Sequence, residues 1–292
     1  MRYTLEQNGV SIAVSSHGAE LHSLRADGRE WIWNGDEVLW GRHAPTCFPW
    51  CGKLKDGFFE LDGQRYEGGQ HGFARDLEHT LQEETADSLT FQLTWNADTL
   101  ARYPWKFVLE TRHQLAGRAL HTTYRVVNED DRAMPFQIGY HFAFAYPFTE
   151  GADTGSCQLR FQQAEDFTEI TTDGGFVSGQ RPRFPGQQVI PLDDHLFDVD
   201  SICFTGLRSD WAQIEELATG RALRVTFSGF PQVLIWSKPG PMRFFCIEPW
   251  YGLPERVDGG HDLFQRPCIQ VLEPGQEFTC TQVVEPLVPT AE

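Results

Sequence analysis

Hydrophobic residues recur at every second position in one segment after another of this chain. Leu89, Phe91, Leu93 and Trp95 alternate with Thr90, Gln92 and Thr94. Leu120, Thr122, Tyr124 and Val126 alternate with His121, Thr123 and Arg125, and Leu223, Val225 and Phe227 with Arg224 and Thr226. A period of two is the signature of half-buried strands, and this pattern predicts antiparallel pairing. Turn dipeptides stand between the apolar runs, at Asp27-Gly28, Asp56-Gly57, Asp62-Gly63, Gly68-Gly69, Gly174-Gly175, Thr219-Gly220, Gly259-Gly260 and Pro274-Gly275. These are hairpin signals. Helical periodicity is scarce. The segment from Asp98 to Tyr103 is expected to form one helical turn, with Asp98 as its N-cap and Pro104 as its stop. Trp211 to Leu217 reads as one arm of a hairpin through Thr219-Gly220. Strand follows strand without the helical crossovers that parallel sheets require, so the expected fold is all-β, a large antiparallel β-sandwich with very little helix. No linker or change of composition interrupts it, and residues 1–292 are expected to form a single domain.

Charge narrows the partners. Lys and Arg total 24 against 41 Asp and Glu, a formal net charge of −17, which repels phosphate backbones and anionic membranes. Neither nucleic acid nor a membrane is an expected partner, and no stretch approaches 18 apolar residues. The seven cysteines are scattered without a C-x-x-C pair, unlike a disulfide framework or a zinc knuckle. The N-terminus lacks the basic flank and apolar stretch of a signal peptide. A cytoplasmic protein is the expectation.

Four places combine ionisable groups with unusual surroundings. His71 follows Gly68-Gly69 and precedes Gly72; flanking glycines let the backbone turn sharply and free the imidazole to face a cleft, although a surface-loop histidine is also consistent with the sequence. His141 sits in the aromatic run Tyr140-His141-Phe142-Ala143-Phe144. It reads either as a core histidine or as an imidazole in a low-dielectric wall, where its pKa responds strongly to neighbours. Asp193-Asp194-His195 reads by itself as a solvated turn. Glu248 lies within Phe244-Phe245-Cys246-Ile247-Glu248-Pro249-Trp250, and a carboxylate in such a run needs a partner or a task. His113 and His121 face each other across a hairpin in this reading, without a third ligand for a metal. No nucleophile elbow, phosphate loop or dinucleotide fingerprint is present.

In order and spacing these segments resemble the aldose 1-epimerase (galactose mutarotase-like) family, and its bacterial aldose epimerase-like branch in particular. The matching elements are His71-Gly72-Phe73, Gly139-Tyr140-His141-Phe142, Asp194-His195-Leu196-Phe197 and Cys246-Ile247-Glu248-Pro249-Trp250. Phe48-Pro49-Trp50-Cys51-Gly52-Lys53 and Ile235-Trp236-Ser237-Lys238-Pro239-Gly240 add to the resemblance, which runs from about residue 5 to residue 285. Phe142-Ala143 replaces the family's usual Pro-Tyr, and Lys53 stands where relatives often carry Arg. For the Asp element, the adjacent Asp193 leaves a one-residue ambiguity.

The resemblance implies a galactose mutarotase-like supersandwich and an isomerase that interconverts α and β anomers of a hexose or hexose derivative. Glu248 is then the base at the C1 hydroxyl, His141 the acid at the ring oxygen, and His71 a further acid or hydrogen-bond donor. Asp194, Arg75 and Lys53 line the sugar cleft, with Trp236, Trp250 and Tyr140 as stacking surfaces. Ring opening needs two positioned proton-transfer groups and no cofactor or metal. The implied partner is a small-molecule sugar, for a monomer or a homodimer. Relatives act on neutral hexoses and on 6-phosphorylated or 6-sulfonated sugars. An anionic substituent calls for a cationic cleft mouth, for which Arg42, Lys53, Arg75 and Lys238 are available. Two other readings stand beside this one: a non-catalytic carbohydrate-binding or metabolite-sensing domain, and a glycoside hydrolase or lyase on a similar sandwich; as a hydrolase, Glu248 would need a second carboxylate and has only Asp194.

Overall fold

A computed structural model describes residues 1–287. A 15-stranded sheet dominates it. Its path runs from Thr46–Cys47 through Ile138–Tyr140, Phe244–Tyr251, Gln232–Trp236 and Ile202–Thr205 to Cys157–Asp173. It continues through Trp211–Glu216, Ala222–Thr226, Glu277–Leu287, Ala119–Asn128 and Phe107–Ala116, then ends with Ser88–Thr94 and Thr80–Glu84. The strand pairings of this sheet are antiparallel. A four-stranded sheet, Arg2–Gln7, Val10–Ser15, Leu21–Ala26 and Arg29–Glu30, packs on its far end. There the Tyr3 ring meets Phe91 at 5.3 Å and His113 Nε2 lies 2.9 Å from the Ala19 carbonyl.

The period-two segments are strands, and their apolar positions point inward. Leu89, Phe91, Leu93, Leu120, Tyr124, Val126, Leu223 and Val225 are all buried in one hydrophobic core. Burial of their side chains is the main stabilising term, at about 1.5–3 kcal/mol for each large aliphatic or aromatic one. Asp27-Gly28 and Asp62-Gly63 each form a two-residue hairpin loop with both residues at positive φ, the geometry whose twist matches that of the strands. Gly174-Gly175 caps the longest hairpin, Cys157–Asp173 with Phe176–Pro191. Asp56-Gly57 instead closes a short 3-10 turn, Lys55–Gly57, and Gly68-Gly69 and Gly259-Gly260 lie outside strands.

Two local expectations are corrected. The helix is Ala97–Leu100 and its N-cap is Asn96, not Asp98: the Asn96 side chain accepts from the Thr99 N–H, and the Thr99 hydroxyl in return accepts from the Asn96 N–H. Asp98 falls inside the first turn. His113 and His121 do not face each other. His113 is registered against Thr122 and His121 against Gln114, so they project from opposite faces of the sheet, His113 into the core.

His79 and His113 are buried, and burial pushes both down to about 4. Each is neutral in the fold but takes a proton near 6.5 when exposed. Stability is therefore full above pH 6.5 and is lost as pH falls toward 4. Each should cost about 2–3 kcal/mol at pH 4.5. Urea denaturation of wild type at pH 7 and pH 4.5 should show this loss, and His113→Gln should lose about 2–3 kcal/mol less between the two pH values.

Candidate functional site

The chemistry gathers where two short strands meet one long one. Ile138–Tyr140 and Phe142–Ala145 both pair with Phe244–Tyr251. Gly139 is opposite Trp250 and Phe142 opposite Ile247, so His141, in the gap between the short strands, stands directly across from Glu248. Cross-strand neighbours of this kind have Cβ atoms roughly 5 Å apart, and here His141 Nε2 lies 3.4 Å from Glu248 Oε2. Pro249 has no N–H to give the ladder. The Tyr140 carbonyl accepts instead from the Trp250 indole, at 3.0 Å. Gly139 makes room for that indole, since a Cβ on it would lie 2.2 Å from Trp250 Cδ1.

His141 is enclosed by rings. Trp40 stacks on it at 5.0 Å, Trp236 meets it edge-on at 5.7 Å, and His71 edge-on at 5.5 Å. Burial, reinforced by the charge of Arg75, pushes the His141 imidazole well below its ordinary 6.5. Burial likewise pushes the Glu248 carboxyl well above its ordinary 4.5. Both shifts favour the uncharged forms, a carboxyl and a neutral imidazole with one proton between them.

His71 adopts φ 64°, an unusual value for a residue with a Cβ, and Gly72 follows at 71°. The turn is pinned by backbone bonds from His71 N–H to the Gly52 carbonyl and from Phe73 N–H to the Phe48 carbonyl. The Gly52 N–H donates to His71 Nδ1 at 3.1 Å, and Cys47 Sγ lies 3.3 Å from the same atom. Nδ1 is thus an acceptor, and Nε2 lies 3.1 Å from the Gln70 side-chain amide nitrogen. Strain held this firmly at a cleft is a pointer to function.

These groups border a cleft of about 660 Å³. Of the residues expected there, His71, His141, Glu248, Arg75, Lys53, Trp236 and Trp250 line it. Two do not. Tyr140 is fully buried in the core, stacked on Tyr124 at 4.2 Å, with its hydroxyl donating to the Thr122 carbonyl. Neighbours on a strand point to opposite faces, so Tyr140 and His141 cannot share the cleft. Asp194 accepts from the Met242 N–H at 3.0 Å and braces a loop; besides Glu248, the acids that line the cleft are Asp173 and Asp200. Asp194 is therefore not available as the hydrolytic mate of Glu248. Among the cations, Arg42, Lys53 and Arg75 reach the cleft, whereas Lys238 donates to the Val38 and Leu39 carbonyls and steadies the loop that carries Trp40. Lys53 Nζ donates to the Gly174 carbonyl at the tip of the long hairpin, which leans over the opening.

Sequence reasoning missed Trp40, Gln70, Asp173 and Asp200. Only Trp40 carried a signal, as a third tryptophan within ten residues of Trp31 and Trp33.

A family model described as aldose 1-epimerase matches residues 1–285. The chromosomal protein LacX of Lactococcus lactis subsp. lactis is 30% identical over 285 residues, spanning 94% of this chain and 95% of that one. The X-ray structure of a galactose mutarotase related enzyme from Lactobacillus acidophilus matches with a TM-score of 0.95 at 30% identity, over 100% of this chain and 99% of the other. A galactose mutarotase-like protein from Lactobacillus casei ATCC 334 matches at 0.92 and 27%, over 98% and 100%.

Gly139→Ala should drive a methyl group into the Trp250 indole and cost about 1–3 kcal/mol. Urea denaturation measures the loss, and altered tryptophan emission before unfolding should report the displaced ring. An unchanged denaturation midpoint would contradict the packing described.

Proposed function

The chain belongs to the aldose 1-epimerase family, and we propose that it is a mutarotase that opens and recloses the hemiacetal of a hexose or hexose derivative. The observation that carries this reading is the His141–Glu248 pair, 3.4 Å apart and open to a cleft of about 660 Å³. Ring opening moves one proton off the C1 hydroxyl and one onto the ring oxygen, and consumes none overall. A pair holding a single proton between an acid and a base meets that requirement, and general acid–base catalysis contributes roughly 10²–10⁴-fold. The shared proton first crosses from the Glu248 carboxyl to His141 Nε2, 3.4 Å away; Glu248 then takes the C1 proton while His141 delivers one to the ring oxygen. Rotation about C1–C2 and reversal of the two transfers close the ring on its other face.

The surrounding residues bind and orient. His71 and the Gln70 side-chain amide beside it turn hydrogen-bonding groups toward the sugar. Trp236, Trp250 and Trp40 offer ring surface to the C–H face of the sugar. Arg75, Lys53 and Arg42 face its hydroxyls or an anionic substituent, and Asp200 replaces Asp194 as the acid near the sugar.

Glu248→Gln and His141→Asn should each lower kcat about 10²–10⁴-fold, measured by polarimetry on freshly dissolved sugar. A wild-type rate in both would overturn the assignment. Sugar binding by the wild-type protein without faster anomer exchange would favour the non-catalytic binding domain.

The pH profile follows from the same pair. Below the His141 value the pair holds two protons and lacks a base; above the Glu248 value it holds none and lacks an acid. The acid limb of kcat/KM should therefore lie well below 6.5 and the alkaline limb well above 4.5. Because burial reverses the usual order, His141→Asn should remove the acid limb and Glu248→Gln the alkaline one. The opposite pattern would show that the resting proton sits on the imidazole.

A further inference from the structure

We propose that His141, Cys246 and Glu248 form a buried binding site for a thiophilic divalent cation of the zinc type, and that its occupancy switches the catalytic pair off. Metal binding stands on the geometry alone; the inhibition rests on the mutarotase reading above.

Cys246 and Glu248 are two residues apart on one strand, so their side chains share a face, and His141 lies across from Glu248. One donor atom from each of the three lies within 4.8 Å of the others, and all three residues are buried. The position opposite Cys246 is Ala143, a small residue, and Trp40 and Trp236 pack over the two. His141 Nδ1 is buried without a hydrogen-bond partner, so the ring has freedom to turn without breaking a bond there. Zinc binds sulfur at about 2.3 Å and nitrogen or oxygen at about 2.0–2.2 Å. Donors in a tetrahedron of that size are about 3.5 Å apart, so the trio has to close by roughly 1 Å.

Charge favours the same ion. A thiolate, a carboxylate and a neutral imidazole together carry −2, and a divalent cation makes the assembly neutral, the condition under which ions tolerate a low-dielectric wall. The thiol proton and the single proton of the His141–Glu248 pair leave to solvent, two per ion bound, so affinity rises with pH. His141 and Glu248 line the cleft, from which a water can reach the fourth position. With His141 and Glu248 both ligated, the site has neither acid nor base.

A second cluster, Glu20 with His22 and His43, brings its donors equally close but is poorly shaped for an ion. Its two imidazoles are stacked at 4.1 Å and 11°, so their in-plane lone pairs run side by side and do not converge. Glu20 Oε1 is already held by the N–H groups of His43 and Ala44.

The test uses the full chain, with Co²⁺ as a spectroscopic probe and Zn²⁺ as the inhibitor. Co²⁺ should produce a thiolate-to-cobalt charge-transfer absorption in wild type that is absent in Cys246→Ala. Its persistence in Cys246→Ala, through the exposed Cys268 or elsewhere, or its absence from wild type, would overturn the site. Zn²⁺ should inhibit mutarotation, less so at saturating sugar. Cys246→Ala and Cys246→Ser should keep turnover within about twofold of wild type without metal and raise the inhibition constant at least tenfold. Equal inhibition of wild type and both variants would overturn the switch. Since the cobalt absorption needs no turnover, a chain that binds cobalt through Cys246 yet does not mutarotate would defeat the functional reading while leaving the metal site standing.

Discussion

The structure turns on placing one carboxyl and one imidazole across from each other inside a sheet, away from water. Charged alone in such a place, either group would carry a desolvation penalty of several kcal/mol. Together they need only one proton between them, and burial pushes both toward their neutral forms. The arrangement is expensive to alter on one side only, because removing either partner leaves the other buried without its mate. It follows that the surrounding backbone has to hold the register of this pair closely. The local sequence does so. Gly139 opens space for Trp250, Pro249 withdraws an N–H from the ladder, and the Trp250 indole satisfies the Tyr140 carbonyl that Pro249 cannot.

Around this rigid centre the cleft is built from connecting segments. The loop bearing Trp40, the strained turn at His71 and the tip of the long hairpin each contribute a wall. They are tied together by interactions at the rim: Lys238 to the Trp40 loop, Lys53 to the hairpin tip, and Arg42 to Asp76 at 2.7 Å. Such exposed contacts contribute little to stability, on the order of 0–1 kcal/mol for an ion pair. Their consequence is positional. In a chain with a net charge of −17, Arg42, Lys53 and Arg75 are gathered on one concave surface, where they offset the acids Asp173 and Asp200 that line it too.

How much of this was legible depended on whether a signal was local. The alternation around Leu89 to Trp95 and Leu120 to Val126 is a local signal, and it foretold strands that the structure contains. The hairpin at Asp27-Gly28 was legible for the same reason, because two adjacent residues supply its geometry. The cap of the short helix was misplaced by two residues, since Asn96 and Asp98 are both competent acceptors and only the path of the chain decides between them. In the cleft, His71 and Glu248 were conspicuous because each violates its surroundings, one a histidine among glycines, the other an acid among aromatics. Asp200 violates nothing. It sits in an acidic, exposed-looking stretch six residues beyond Asp194, and which of the two reaches the cleft is decided by a turn whose geometry depends on distant contacts such as that of Asp194 with Met242. Tyr140 is the instructive error. Its neighbour His141 already claimed the cleft face, and strict alternation assigns Tyr140 to the core.

The same alternation bears on what kind of catalyst such a sheet can support. Residues at positions i and i+2 of a strand share a face, and one residue of the facing strand completes a triangle. Placing a base on a strand therefore brings along whatever stands two positions earlier, and here that is a thiol. In a reaction that shuttles a single proton and otherwise proceeds in water unaided, a weakly polar, uncharged thiol beside the pair is compatible with turnover, because it neither donates nor accepts strongly while protonated. Its character changes only when an ion draws the proton away. A fold that builds acid–base sites on paired strands thus places proton-transfer groups and soft metal donors at the same spacing. The residue opposite the thiol, Ala143 in this chain, sets how closely the neighbouring rings pack over it.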